Sequence, residues 1–267
     1  MTQKVSSKST PRVYGRSASM RAIQVLVRRE WLKVFKEPSR ALGIIIQPLL
    51  FWWVIGSGFV PSFRSQQMAD VDYQTYFFPG VLALVLLFSS IFSMITLIDD
   101  RNSGFMQAVL VSPCSRSAVV FGKILGAFTI ASVQLLLFMP LLPLAGISFV
   151  DVFWPAFFIF AVLGALFFTS LGFLMAWLSP SSSAFHALMS IFLIPMWILS
   201  GAMFPLENTW MSVCALINPA AWLVQGFQYA LLGSHLNVVS IFPSMIKLLS
   251  LTVLTTGLGV YACYRNR

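Results

Sequence analysis

The sequence predicts an all-α integral membrane protein. It reads as six transmembrane helices with an N-terminal interfacial amphipathic helix and an external re-entrant hairpin. Three observations carry this. Hydrophobic residues make up 58% of the 267 positions and charged residues 9%, whereas a water-soluble domain holds roughly a quarter charged residues. Apolar runs of span length recur along the chain, and the first five contain no Asp, Glu, Lys or Arg. Ten of the seventeen Lys and Arg fall within residues 1–40. That places the +9 formal charge on an arm beside anionic lipid rather than on a face for nucleic acid.

Residues 1–20 are rich in Ser, Lys and Arg, which predicts a disordered basic tail. The first long apolar run begins near Ala41 without a small-residue cleavage site, so no secretory signal is expected. Across 21–40, Ile23, Val27, Trp31 and Val34/Phe35 form an apolar stripe, while Arg29, Lys33, Lys36 and Arg40 form a basic one. This predicts a helix in the membrane surface, with Trp31 at headgroup depth and the cations against lipid headgroups. Pro38 ends it.

A six-span body is predicted over 41–267. Its spans are predicted near 41–60, 76–98, 124–147, 153–178, 186–205 and 241–263, each long enough for a hydrocarbon core of about 30 Å. Arg101, Arg116, Lys123, Arg265, Arg267 and the basic arm share one side, and Arg64 and Lys247 the other. The positive-inside rule then puts both termini in the cytoplasm. The stretch Trp210–Leu232 falls outside, yet it is too apolar for a solvated loop and is broken at Asn218-Pro219. Two half-length apolar pieces predict a re-entrant hairpin, with a packed external cap as the alternative.

The polar interruption from Asp99 to Lys123 organises the first half. Phe105, Met106, Val109 and Leu110 give one side of a short helix an apolar character over 103–112. Ser103 is expected to cap it and Pro113 to stop it. Such a helix has one side for lipid or span ends and one for a partner, and an ordinary interfacial loop helix fits the same pattern. Asp99 and Asp100 read as solvated charge at a span end.

No catalytic constellation is visible. His186 and His235 lie at opposite faces, and Cys114, Cys214 and Cys263 lack ligand spacing. The Gly122-Lys123 pair is followed by Ile124, with Ser117 where a phosphate loop needs its first glycine. The chain is therefore not expected to be an enzyme by itself or to bind a cofactor; if it drives uphill transport, the energy is expected from a partner.

Two stretches carry a resemblance. Asp100-Arg101-Asn102-Ser103-Gly104, with Gln107, Leu110-Val111-Ser112-Pro113, Arg116 and Gly122-Lys123, resembles the cytoplasmic coupling region of type-2 ABC export permeases. Leu199 to Asn208, then Asn218-Pro219 and Leu231-Leu232-Gly233, resembles that family's C-terminal signature. The resemblance covers residues from about 21 to the end. It implies a multi-pass protein of the inner (plasma) membrane, acting as a homodimer or paired permease on separate ATP-binding cassette ATPase subunits, which hold the ATP and Mg. It implies ATPase coupling through Arg101, Gly104, Phe105, Gln107, Leu110, Pro113 and Arg116, assisted by the interfacial helix with Arg29, Trp31, Lys33 and Lys36. It also implies an exit gate of Gly201, Phe204, Pro205, Asn218, Pro219, Gln225 and Gln228. Gln107 stands where many relatives have Glu, and Gln225 and Gln228 where charged residues are frequent. An ATPase-independent channel or scramblase, or a membrane anchor for a cytoplasmic partner, are the competing readings.

Overall fold

The computed structural model describes residues 16–59, 71–112, 114–206, 210–233 and 241–265. Pro113, Arg64, His235, Arg267, the Glu207-Asn208 pair and residues 1–15 of the expected tail lie outside these residues, and residues 16–20 of that tail are helical. In chain order the described helices are α1 (Arg16–Lys36), α2 (Pro38–Phe59), α3 (Tyr73–Phe92), α4 (Ile95–Asn102), α5 (Phe105–Val111), α6 (Arg116–Leu136), α7 (Trp154–Leu178), α8 (Ser182–Ile198), α9 (Trp210–Ala215), α10 (Pro219–Leu232) and α11 (Phe242–Arg265). Every regular element among the described residues is helical.

Four helical stretches are long and apolar enough to cross a membrane: Tyr73–Asn102, Arg116–Leu141, Trp154–Leu178 and Phe242–Arg265. The apolar parts of the α2 and α8 regions, Ile45–Gly58 and Ser182–Ile198, are shorter. Pro38 separates α1 from α2 by taking the first position of the new helix, where its missing N–H costs nothing. The helix expected over 124–147 begins earlier, at Arg116, because Ser115 caps it by accepting from the Ala118 N–H at 3.2 Å. It ends at Leu136, and short 3-10 turns at Met139–Leu141 and Pro143–Ala145 follow. The helix expected over 186–205 runs 182–198, starting at a Ser181 cap. Pro195 lies in its last turn, and the backbone turns left-handed at Gly201, with φ 82°.

The core centres on α3. Phe77 through Leu87 are buried on every side, as expected of a helix that is apolar all round. It ends in a turn at Ser93-Met94, where the Ser93 Oγ donates to the Ser89 carbonyl at 2.7 Å. α4 continues beyond the turn. Around α3 stand α2, α6, α7 and α10. Close approach needs small residues here: Gly80 faces Ala202, Gly164 faces Leu86 and Leu223, and Gly226 lies directly on the Phe160 ring. α11 closes the far side of α6 and α7 through one stripe, Leu248, Thr252, Thr255, Gly259 and Cys263. Its opposite face leaves Leu249, Val253, Leu254, Leu258 and Tyr261 exposed, as lipid contact requires.

Candidate functional site

The site is built where α1, α4, α5 and α6 meet. Gly104, with φ 75°, adopts the left-handed conformation that lets the chain reverse between α4 and α5. It, and not Ser103, takes the first cap position of α5. Ser103 has helical backbone angles, whereas a side-chain cap needs extended ones; its hydroxyl donates to the Asp100 carbonyl at 3.3 Å. α5 ends at Ser112, whose backbone is extended.

The apolar side of α5 faces the protein. Met106 is buried, Phe105, Val109 and Leu110 are half-buried, and Gln107, Ala108 and Val111 are exposed. The Arg29 guanidinium lies over the Phe105 ring at 3.7 Å, a cation–π contact that ties α5 to α1.

Beneath it lies a buried ion cluster. The Lys123 ammonium, on α6, reaches Glu30 Oε1 at 2.5 Å and also bonds Asp100 Oδ2. The second Asp100 oxygen accepts from Arg29 at 2.5 Å and Lys33 at 2.7 Å. The second Glu30 oxygen accepts from the Thr96 hydroxyl at 2.7 Å. Glu30, Asp100 and Lys123 are each 2% exposed or less. Asp100 is thus not the solvated charge expected of it, whereas Asp99 is exposed. Adjacent helical residues point in different directions, and only Asp100 faces α1 and α6.

The basic residues of α1 divide in the same way. Arg29 and Lys33 turn into the cluster, while Lys36 is exposed. Burial, then the nearby Lys123 charge, lower the Lys33 pKa below its ordinary value. Trp31 is half-buried and donates to Thr129 Oγ1 on α6 at 3.0 Å. This packing is possible because Gly122 and Gly126 form a ledge on α6. A side chain at either would collide with Leu26 or Glu30 of α1.

The two arginines of the α4–α6 segment cap other helices. Arg101 donates to the carbonyls of Trp177, at 3.2 Å, and Ser179, at the end of α7. Arg116 donates to the carbonyls of Cys263, at 2.9 Å, and Tyr264, at 3.2 Å, at the end of α11. Cations suit helix C-termini, where carbonyls lack intrahelical donors and the dipole is negative.

At the opposite end of the bundle the remaining predicted residues gather around the turn after α8. The Gly201 carbonyl accepts from the Tyr76 hydroxyl at 2.6 Å and from Gln228 Nε2 at 3.4 Å. Asn218 caps α10 through the Ala220 N–H at 2.9 Å and donates to the Met196 carbonyl at 2.6 Å; Pro219 is the first residue of α10. Gln225 points elsewhere, accepting from Ser244 of α11 at 3.1 Å. Phe204 is exposed and Pro205 half-buried at the rim.

Glu30 and Thr96 were missed by sequence reasoning, as were the burial and pairing of Lys123 and the buried Ser89–Gln134 hydrogen bond between α3 and α6. One signal existed. Glu30 stands seven residues from Ile23, on the same apolar stripe, and an acid there needs a partner once the stripe is buried.

The family described as ABC-2 type transporter matches residues 21–232. Among known proteins, the putative transport permease ycf38 of Cyanophora paradoxa is 27% identical over 218 residues, which cover 79% of this chain and 73% of that protein. The ycf38 protein of Porphyra purpurea is 25% identical over 248 residues, 90% of this chain and 82% of its own length. The probable multidrug ABC transporter permease YbhR of Escherichia coli K12 is 24% identical over 214 residues, 76% of this chain and 56% of its own. The matched segment holds the ion cluster, α5 and the capped break at Asn218, and the chain belongs to the ABC-2 type transporter family as a membrane permease.

Proposed function

We propose that this chain is the permease subunit of an ATP-driven exporter, forming the translocation path as a dimer on separate ATP-binding cassette subunits that hold the ATP and Mg. One observation carries the reading. α5 is fastened to the protein by its apolar side and by Arg29 over Phe105, which leaves Gln107, Ala108 and Val111 exposed in a row. A seven-residue helix held in this way can receive a push and pass it inward. Phe105 and Leu110 then support the contact from behind, and Arg101 and Arg116 join the segment to the ends of α7 and α11.

On this reading α2 and α8 complete six spans, and both termini lie on the cytoplasmic side of the inner (plasma) membrane. The pair α9–α10 dips back from the outer face as a re-entrant hairpin. The turn at Gly201, with Phe204, Pro205, Asn218, Pro219, Gln225 and Gln228, borders the exit.

The test is isolation of the full chain from its native membrane in mild detergent. An ATP-binding subunit should accompany it. Val111→Asp with Gln107→Arg should lower that recovery at least tenfold while membrane insertion stays unchanged. Recovery without any ATP-binding protein, together with ion or lipid movement by the chain alone, would put it with ATPase-independent channels and scramblases. Recovery unaffected by the double substitution would remove α5 as the docking surface.

A further inference from the structure

We infer that Lys123 and Asp100 are positioning residues that clamp α1, α4 and α6 into one rigid unit, so that a push on α5 moves these helices together. The inference rests on the docking reading above for its use, but not for its geometry. Five charged side chains meet in the cluster: Arg29, Glu30 and Lys33 from α1, Asp100 from α4 and Lys123 from α6. All four carboxylate oxygens have donors, and Thr96 supplies the one that no cation does. Lys123 is shared by both carboxylates, and Asp100 by all three cations. Neither α1 nor α4 can shift along α6 without parting at least one pair.

Parting is unfavourable because the ions are enclosed. Lys123 and Asp100 are each 1% exposed and Glu30 2%, so water cannot replace a lost partner, and an unpaired buried ion is strongly destabilising. The α6 ledge adds a steric constraint, since Leu26 and Glu30 rest directly on Gly122 and Gly126. The joints made by Arg101 and Arg116 differ. Both arginines donate to backbone carbonyls at helix ends and are half-buried, so water can substitute at those bonds. Relative motion in a transport cycle therefore falls at the α4–α7 and α6–α11 joints and leaves α1–α4–α6 intact.

A reversible cross-link tests this. A Cβ built on Gly122 lies 3.0 Å from the Leu26 Cβ, just under the roughly 3.5–4.5 Å that a disulfide spans, so the bond forms with a small outward shift of α1 once the Leu26 side chain is shortened. The pair Leu26→Cys and Gly122→Cys is placed in a chain whose three native cysteines are replaced by Ser. In complex with its ATP-binding subunit, the readout is the ATP-dependent change in labelling of Gln225→Cys by a membrane-impermeant maleimide. With the natural cluster present, oxidation should leave that change within about twofold, as expected when the joined helices do not separate. Lys123→Met should reduce the change at least tenfold, oxidation of the cysteine pair should restore it, and reductant should abolish it again.

A second measurement needs no ATP-binding subunit. Amide hydrogen exchange of α1 in nanodiscs should quicken at least tenfold in Lys123→Met or Asp100→Asn. Unchanged exchange in both variants overturns the clamp, as does an oxidised pair that blocks the labelling change in the natural cluster. The latter arm requires no variant of the cluster, so it holds even if Lys123→Met fails to fold. Quickened exchange without any ATP-dependent labelling in the unsubstituted protein would support the clamp while overturning the docking reading.

Discussion

At the α5 end, three helices converge on two buried carboxylates, and every contact in the cluster involves a charge. At the opposite end the turn after α8 is held by neutral bonds from side chains to backbone. Tyr76 and Gln228 donate to the Gly201 carbonyl, Tyr73 to that of Met203, Trp197 to that of Gly80 and Asn218 to that of Met196. A neutral hydrogen bond contributes about 1 kcal/mol net. Removing one partner of a buried ion pair costs about 3–5 kcal/mol. The same bundle thus has one end held by shared buried charge and one held by separate neutral bonds, each of them weaker.

The largest expected effect tests the charged end. Asp100→Asn leaves Lys123 with Glu30 as its one remaining carboxylate, Arg29 with the Phe105 ring and Lys33 with the Thr96 carbonyl. Unfolding of the purified chain in mixed micelles should show a loss of about 3–5 kcal/mol; a loss below about 1 kcal/mol would erase the contrast. Next comes a steric test of the neutral end. Gly226→Ala sets a methyl group against the Phe160 ring, and overpacking of this kind costs about 1–3 kcal/mol. A neutral outcome there would show that α10 is loosely seated. Tyr76→Phe removes one of two donors to Gly201 and should cost about 1 kcal/mol, rising in the double variant with Gln228→Leu as the carbonyl loses both.

The smallest effect is one of pH. Lys33 has a lowered pKa in the folded protein, by burial first and then by the Lys123 charge. The unfolded chain therefore binds more protons there, and stability should rise with pH between the lowered value and the ordinary 10.5. Lys33→Met should remove that slope from a stability–pH profile.

Local chemistry made parts of this arrangement legible in the sequence. Pro38 marks the α1–α2 boundary because it disfavours a helical residue before it. Asn218-Pro219 marks the start of α10 because Asn caps well and Pro suits the first helical position. Helix limits set by caps further away were less visible, so α6 and α8 each begin earlier than their apolar runs suggest. The direction of the α1 charges was not legible at all. Periodicity sorts side chains around a helix but does not say which side meets protein and which meets lipid. Glu30 and Lys123 are 93 positions apart, and only the assembled bundle makes them neighbours.

That separation has a consequence for synthesis. α1 leaves the ribosome first, carrying Glu30, and its partner Lys123 follows only after 93 further residues. At about 5–20 residues per second, the interval is roughly 5–20 seconds. During it α1 has neither its glycine ledge nor its counter-ion, and an amphipathic helix with an unpaired carboxylate is best accommodated at the water–lipid boundary. α1 therefore begins as a surface float and is recruited into the bundle when α6 arrives, which makes docking of Lys123 a late event in maturation. A chain truncated before residue 116 should leave α1 open to added protease, and extension through α6 should close it.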